Sequence, residues 1–309
     1  MDTFTDSGEL YNIKNQFYTN QFQKVISYTL DQFSPESQLK VLEFQIRSTI
    51  ALEQDASELI EYGKVQFSDE DQLFELLTVW NDLMTFGMDD STYFQDIQQA
   101  EFELQAVLTA IYLVQFEKDI DQAIDFLNSY VNESKNVYEI EPFLILMQLY
   151  LIRGNYTLSD KLFNNLKRFP DIKDNIIYQI IESWMLSIKG ESDNINNSFY
   201  FYDELLSTGL DDDESCKFKI LSILFVLTIQ LKHYPEAQEL LKQIDSLKVK
   251  PNGDFIANKI TFEYLTQGNQ ESINLLLQEL EKVDPEHQYL VDLQERNSIF
   301  NEIVTKYHV

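Results

Sequence analysis

Acidic runs are the residues of this sequence that come nearest to a catalytic pattern. Asp211-Asp-Asp-Glu214 would hold a magnesium–diphosphate group if its carboxylates lay one helical turn apart, but the position four after Asp211 is Ser215. The run follows Gly209-Leu210, so we predict a loop and a first helical turn, where carboxylates complement the helix dipole. We expect the same of Asp69-Glu-Asp71 and Asp89-Asp90, and neither has the Gly and Glu spacing of an EF-hand loop. The sequence therefore predicts no metal site.

Histidine and cysteine give no stronger signal. The three histidines, His233, His287 and His308, are scattered, and none has the Glu three residues earlier that a di-iron carboxylate bundle needs. His233 adjoins Tyr234 at a predicted turn between helices, which favours a surface position. The single cysteine, Cys216, excludes intrachain disulfides and a zinc site built from several thiolates. Phosphate-loop, dinucleotide-binding and zinc-protease motifs are missing as well, so we predict no cofactor and no enzymatic activity.

Charge excludes further partner classes. Among 309 residues, 23 are Lys or Arg and 52 are Asp or Glu, which gives a net charge of −29. Nucleic-acid binding needs clustered cations and is not expected, and an anionic membrane surface is disfavoured for the same reason. The first residues lack the basic and apolar regions of a signal peptide, and the most apolar run, residues 220–231, is shorter than a membrane span. We expect a cytoplasmic protein with no direct membrane insertion.

The elements that must position any site are predicted to be helices. The sequence has only 8 Gly and 6 Pro, too few to punctuate a many-stranded sheet protein. From Phe143 to Pro170, two apolar stripes at helical spacing flank Gly154-Asn155, which predicts two antiparallel helices joined by a tight turn. In the second helix the small Ser159 follows the bulky Tyr156 by three positions. This pairing recurs in the chain at Ile120/Ala123, Tyr156/Ser159, Ile195/Ser198 and Tyr234/Ala237.

This recurrence matches the tetratricopeptide repeat, with paired helices, a small residue at the crossing and units of ~34 residues. We predict an all-α fold, a degenerate tetratricopeptide-type solenoid with a right-handed superhelix, formed as a single unit over residues 1–309. Other predicted features are a helix pair at 39–52 and 56–67, a less regular segment at about 68–106 with a helix at 73–86, and a C-terminal capping helix at 290–309. The alternative is a globular bundle with an accidental period, but five units that share both turn and small residue favour the solenoid.

Repeat arrays of this kind turn their first helices toward a groove that takes a peptide or a partner helix. Positions offset from the packing stripe are mostly apolar here: Leu108, Tyr112, Phe116, Leu144, Gln148, Leu151, Ile180, Trp184, Val226 and Phe262. Grooves that clamp a terminal carboxylate are lined by Lys, Arg and Asn instead. As a set, these residues predict a concave face for an apolar segment of an obligate partner. The alternative is tighter helix packing, in which they are ordinary core residues.

Several motifs, in order along the chain, resemble a known family. They are Leu10-Tyr-Asn-Ile-Lys-Asn-Gln-Phe-Tyr18 with Phe22, Ala123-Ile-Asp-Phe-Leu127, Trp184 before Gly190, Asn197-Ser-Phe-Tyr-Phe-Tyr202, Asp284-Pro285, Leu293-Gln-Glu295, Phe300 and Lys306-Tyr307. Together they resemble the epsilon subunits of coatomer, the COPI vesicle coat. Residues 60–105 depart most from that family, and the high Asn, Gln and Asp content is similar to a yeast member.

The resemblance implies a non-catalytic helical-repeat coat subunit that wraps part of the C-terminal region of the alpha subunit and meets other coatomer subunits indirectly. It implies a role in Golgi-to-ER and intra-Golgi transport, peripheral on Golgi membranes and COPI-coated vesicles. The alternative function is a soluble tetratricopeptide-repeat adaptor that binds short peptides reversibly, such as a chaperone cofactor. The lack of Lys and Arg in the predicted groove argues against that alternative.

Overall fold

A computed structural model describes residues 8–87, 92–133, 139–169, 172–207 and 213–307. Asp89-Asp90, Pro170, Asp211-Asp212 and His308, which the sequence analysis considered, lie outside these ranges. All regular elements within the ranges are helical, which confirms the predicted all-α class. Short 3₁₀ turns lie at Leu30–Gln32 and Ile172–Asp174. Contacts divide the chain into two compact units, Met1–Lys189 and Gly190–Val309, and each is described by itself. The single solenoid over 1–309 stays a prediction.

The first unit contains eleven helices in its described residues. They are α1 (Tyr11–Tyr18), α2 (Phe22–Ile26), α3 (Pro35–Ala51), α4 (Ser57–Gln66), α5 (Asp71–Phe86), α6 (Tyr93–Asp96), α7 (Glu103–Gln115), α8 (Ile120–Glu133), α9 (Glu141–Ile152), α10 (Tyr156–Leu166) and α11 (Ile176–Lys189). Helices α7, α9 and α11 pack side by side, while α8 contacts α7 and α9, and α10 contacts α9 and α11. This is the packing of helical hairpins in a repeat array, as predicted. Helix α3 packs on α4 and α5, and α1 packs on α3 and α11.

The second unit continues the hairpin pattern. Its helices are α12 (Ser192–Ser207), α13 (Glu214–Gln230), α14 (Tyr234–Asp245), α15 (Gly253–Thr266), α16 (Gln270–Val283) and α17 (Gln288–Tyr307). Edge-on ring contacts join α13 to α15, with Phe218–Phe255 and Phe225–Phe262 centroids each 5.3 Å apart. Helix α17 is the predicted terminal helix, anchored by the buried Leu290.

Six helices begin after the same backbone conformation. Two positions before α2, α8, α10, α12, α14 and α16, the chain passes through a left-handed residue with φ between 58° and 70°; these residues are Asn20, Lys118, Gly154, Gly190, Lys232 and Gly268. Glycine adopts this conformation without steric strain, whereas the lysines do not. The turn that the sequence marks with Gly154 and Gly268 is therefore also made where the sequence has no glycine.

The small residues predicted at helix crossings are confirmed. Ala123, Ser159, Ser198 and Ala237 are fully buried. The Ser159 hydroxyl donates to the Asn155 carbonyl at 3.2 Å, so its polar atom is satisfied within the helix. A larger side chain at these positions would push the paired helices apart.

Candidate partner-binding surface

The residues that come nearest to catalytic patterns serve as caps and surface groups. Asp213 caps α13 by accepting from the Cys216 N–H at 2.9 Å, which confirms the predicted first turn. His233 is exposed beside α14, as predicted, and His287 lies 3.1 Å from the Asp254 carboxylate. In the described part of the chain, His, Cys, Asp and Glu form no cluster of three or more that could hold a metal ion.

Helices α7, α9 and α11 form the surface on which the first unit carries most of the predicted groove residues. We call these three helices the first-helix layer. Of the ten predicted residues, Leu108, Tyr112, Ile180 and Phe262 are buried. Leu144, Leu151, Trp184 and Val226 are half-buried, while Phe116 and Gln148 are exposed. Val226 and Phe262 belong to the second unit.

Tyr112 shows how burial separates neighbours on one helix. Its ring is stacked between Phe94 and Phe116, with centroids 4.9 Å and 5.6 Å away. Its hydroxyl donates to Glu117 Oε1 at 2.7 Å and accepts from Gln95 Nε2 at 3.3 Å. Tyr112 is therefore a packing residue that supports Phe116, and Phe116 is the part of this stack that a partner can reach.

Two exposed residues that the sequence analysis did not select repeat the position of Phe116. Phe116, Ile152 and Ile188 each lie two positions before a left-handed residue, which is Lys118, Gly154 and Gly190 respectively. Their side chains are 42%, 59% and 44% exposed. Because α7, α9 and α11 pack side by side, we infer that the three lie next to one another at one edge of the layer. We call this set the apolar row; its constant spacing of 36 residues was a signal that the sequence offered.

A buried ionic network lies at the opposite, N-terminal ends of α7 and α9. The Arg47 guanidinium of α3 makes a two-pronged ion pair with Glu141, the first residue of α9. Its Nη1 atom also donates to Glu43 at 3.1 Å, and all three side chains are buried. Tyr18 of α1 donates to Glu141 at 3.0 Å, and Glu103 of α7 accepts from the Glu141 backbone N–H at 3.0 Å. These contacts join α1, α3, α7 and α9.

The network shifts the pKa values of its members in opposite directions. Burial alone would raise the pKa of Glu141, but the charge and hydrogen bonds of Arg47, with the Lys40 charge and the Tyr18 hydrogen bond, together hold that pKa below its ordinary value. Burial raises the pKa of Glu103 to about 7, against the opposing attraction of Lys40. Burial, with help from the Glu141 charge, also raises the pKa of Tyr18. Glu141 is therefore held ionised as the charge partner of Arg47, while Glu103 titrates near neutral pH.

Comparison with known proteins identifies the family of this chain. The sequence model of the coatomer epsilon subunit family matches residues 6–308. The chain belongs to that family. It is 24% identical to coatomer subunit epsilon of Saccharomyces cerevisiae over 321 aligned positions, which cover 97% of this chain and 98% of the yeast protein. The resemblance seen in the sequence motifs is confirmed.

Membership of the coatomer epsilon family makes the chain a subunit of the COPI coat of transport vesicles, associated with other coatomer subunits. A structural coat subunit agrees with the predicted non-catalytic role. None of the helices in the described ranges combines the length and apolarity needed to cross a membrane. What the family does not provide is the identity of the contact residues, for which the first-helix layer is the candidate.

Proposed function

We propose that this chain is a non-catalytic coat subunit that binds and stabilises the C-terminal region of the coatomer alpha subunit. It would act in Golgi-to-ER and intra-Golgi transport, as a cytoplasmic protein peripheral on Golgi membranes and COPI-coated vesicles. The observation that carries the proposal is the apolar row on the first-helix layer of a coatomer epsilon family member. Three large apolar side chains left exposed at equivalent positions indicate a surface that a partner covers.

The binding surface that we propose differs from the set predicted from sequence, because it adds Ile152 and Ile188 and leaves out the buried residues. It consists of the apolar row with the half-buried Leu144, Leu151 and Trp184 and the exposed Gln148. Leu108, Tyr112 and Ile180 support this surface from within the helix packing. In the second unit Phe262 is buried as well, whereas the half-buried Val226 remains a candidate.

The test is binding of the purified chain to the isolated C-terminal region of the alpha subunit, measured by calorimetry. Replacing Phe116 and Ile152 together with Asp removes two apolar contacts of ~1.5–3 kcal/mol each, so affinity should fall about 100-fold or more. Tyr156→Asp with Leu158→Asp is the matched control, because both residues are exposed apolar side chains on α10, a second helix. Helix content of both variants should match the parent by circular dichroism.

Two results would contradict the proposal. One is full binding by the Phe116→Asp/Ile152→Asp variant, and the other is an equal loss in the α10 control. Salt dependence addresses the alternative function. Apolar burial should make the affinity nearly constant between low and moderate salt, whereas steep weakening would favour an adaptor held by charge at its acidic faces.

A further inference from the structure

The last helix of the second unit, α17, is anchored to the fold at its start. Leu290 is buried there and packs, with the half-buried Tyr289, on the core of α15 and α16. From Gln294 to Tyr307 every residue is exposed except the half-buried Val304. At 1.5 Å per residue, about 20 Å of helix is therefore exposed around its whole circumference.

This exposed part of α17 is apolar along one face. Phe300, Ile303 and Tyr307 are 64%, 48% and 79% exposed, and Ile299 beside them is exposed as well. With the half-buried Leu293, they follow the spacing by which helices pair in a coiled coil, since 293, 300 and 307 are seven apart and 303 is three after 300. We call this set the α17 stripe. A large apolar stripe on an exposed helix indicates that another helix covers it.

The charges beside the α17 stripe fit a second copy of the same helix. Consider two copies of α17 packed antiparallel, with Leu293 opposite Ile303 of the second copy. On one flank, Asp292 of each copy then lies beside Lys306 of the other copy, which makes two ion pairs. Asp292 and Lys306 are both exposed in the folded chain. The helix is therefore complementary to itself in charge as well as in apolar spacing.

Arg296 fixes the direction of the pair. Antiparallel packing places its guanidinium opposite Phe300 of the second copy, and the face of an aromatic ring attracts such a cation. Parallel packing in register would place Arg296 against Arg296 of the second copy, where like charges repel. It would also leave Asp292 and Lys306 at opposite ends of the pair. The charge distribution therefore selects the antiparallel arrangement.

Two features set the strength of this contact. The net charge of −29 opposes association of copies, but residues 292–307 contain two basic and three acidic side chains and are nearly neutral. Paired over little more than two heptads, two helices bury less than ~1,200 Å² in total, the low end for specific interfaces. The contact should therefore be weak in dilute solution and form where copies are concentrated, as subunits of a vesicle coat are.

We propose that α17 is a self-association site, through which two copies of this chain pair antiparallel and link neighbouring coat complexes. The site uses no residue of the surface proposed for the alpha subunit. Its tests use the chain without any partner, so it stands or fails independently of the proposed function.

The first test is sedimentation equilibrium of the full chain. We expect a reversible monomer–dimer equilibrium with a dissociation constant on the order of 100 µM. Phe300→Asp with Ile303→Asp should weaken it at least tenfold, because unpaired charges would be buried in the contact. The matched control is Tyr264→Asp with Leu275→Asp, two exposed apolar residues of α15 and α16, which should leave it unchanged. Circular dichroism checks that helix content is the same in all variants.

Charge reversals test the antiparallel register. Asp292→Lys and Lys306→Asp should each weaken self-association several-fold, because each brings like charges together on the flank. General repulsion between acidic chains predicts the opposite for Asp292→Lys, which makes the net charge less negative. Mixing the two variants should restore dimers. In the mixed pair, the charges introduced at positions 292 and 306 face each other, and so do the unchanged Lys306 and Asp292.

Several outcomes would overturn the proposal. A parent chain that stays monomeric to about 500 µM would refute self-association at the expected strength. An equal loss in the Tyr264→Asp/Leu275→Asp control would show that the association is not specific to α17. Absence of dimers in the mixture of charge variants would refute the antiparallel register. A monomeric parent whose Phe300→Asp/Ile303→Asp variant loses binding to the alpha subunit would assign the α17 stripe to that partner instead.

Discussion

Removing Arg47 should destabilise the first unit severely. In the parent chain the Arg47 guanidinium carbon lies 4.5 Å from the centroid of the Phe17 ring. Arg47→Met keeps much of the side-chain volume over that ring but removes the charge. Among the described residues, Lys40 would then be the one cation left to compensate the buried carboxylates of Glu43 and Glu141. Breaking a buried pair by removing one partner typically costs ~3–5 kcal/mol, because the other charge stays buried and unpaired. We expect a loss of that size in the free energy of unfolding.

The assay can observe the first unit alone. The chain has two tryptophans, Trp80 and Trp184, and both lie in Met1–Lys189. Tryptophan fluorescence during urea unfolding therefore reports the unit that contains Arg47. The control is Arg153→Met, which breaks the exposed Arg153–Asp121 pair in the same unit and should cost less than ~1 kcal/mol.

A second step distinguishes the ion pair from simple loss of packing. Glu141→Gln alone should also be costly, since it leaves the Arg47 charge without its main partner. The double variant should lose much less than the sum of the two, with a coupling energy above ~2 kcal/mol. Additive single effects, or a loss from Arg47→Met no larger than that from Arg153→Met, would refute the assignment of this network as a coupled buried cluster.

Three further predictions concern packing, turns and pH. Ala123→Leu and Ala237→Leu should each lower the free energy of unfolding by ~1–3 kcal/mol through overpacking, measured by circular dichroism in urea; unchanged midpoints would refute the crossing positions. Gly154→Ala should lower the free energy of unfolding by ~1 kcal/mol through backbone strain alone, because a Cβ there meets no atom within 4 Å. The control Lys232→Ala should change it by less than ~0.5 kcal/mol, since Lys232 already has the left-handed conformation. The pKa of Glu103 is raised to about 7, so the folded state binds this proton more tightly than the unfolded state does, and the free energy of unfolding should fall as pH rises from about 4.5 through 7. Glu103→Gln should flatten this dependence when unfolding in urea is measured from about pH 5 to 8.

Local patterns in the sequence were sufficient to predict the helices. The helix predicted at 73–86 is α5, Asp71–Phe86, and the pair predicted around Gly154 is α9 and α10. Helical periodicity and turn glycines are properties of a few neighbouring residues, so they can be recognised without knowing how the rest of the chain folds. The small residues at crossings were found for the same reason, since each follows a bulky residue at a fixed short distance.

Burial on the first helices could not be predicted in the same way. A first helix contacts its neighbours on two sides, so apolar residues that face the core and those that face a partner can occupy the same stripe. Tyr112 and Phe116 lie one helical turn apart, yet Tyr112 is buried in a ring stack while Phe116, after the end of α7, is exposed. The difference depends on Phe94 from another element, which no pattern around residue 112 contains.

The ionic network was missed for a stronger reason. Arg47 and Glu141 are 94 positions apart, and in sequence each resembles an ordinary charged residue of a solvated helix. A charge becomes buried only when distant elements meet around it, so composition and periodicity assign it to the surface by default. The folded chain instead brings α1, α3, α7 and α9 together at this point.

The position of the network explains why a charged pair is found there at all. Apolar side chains of similar volume would stabilise the same site at least as well, but they would tolerate several positions of α9 against α3. A two-pronged Arg47–Glu141 pair accepts few geometries, because both guanidinium N–H groups must reach their oxygens. Helix α9 begins at Glu141 and ends at Ile152, so fixing its first residue also fixes where the middle member of the apolar row lies. We infer that the ion pair contributes more to the geometry of the binding surface than to the net stability of the fold.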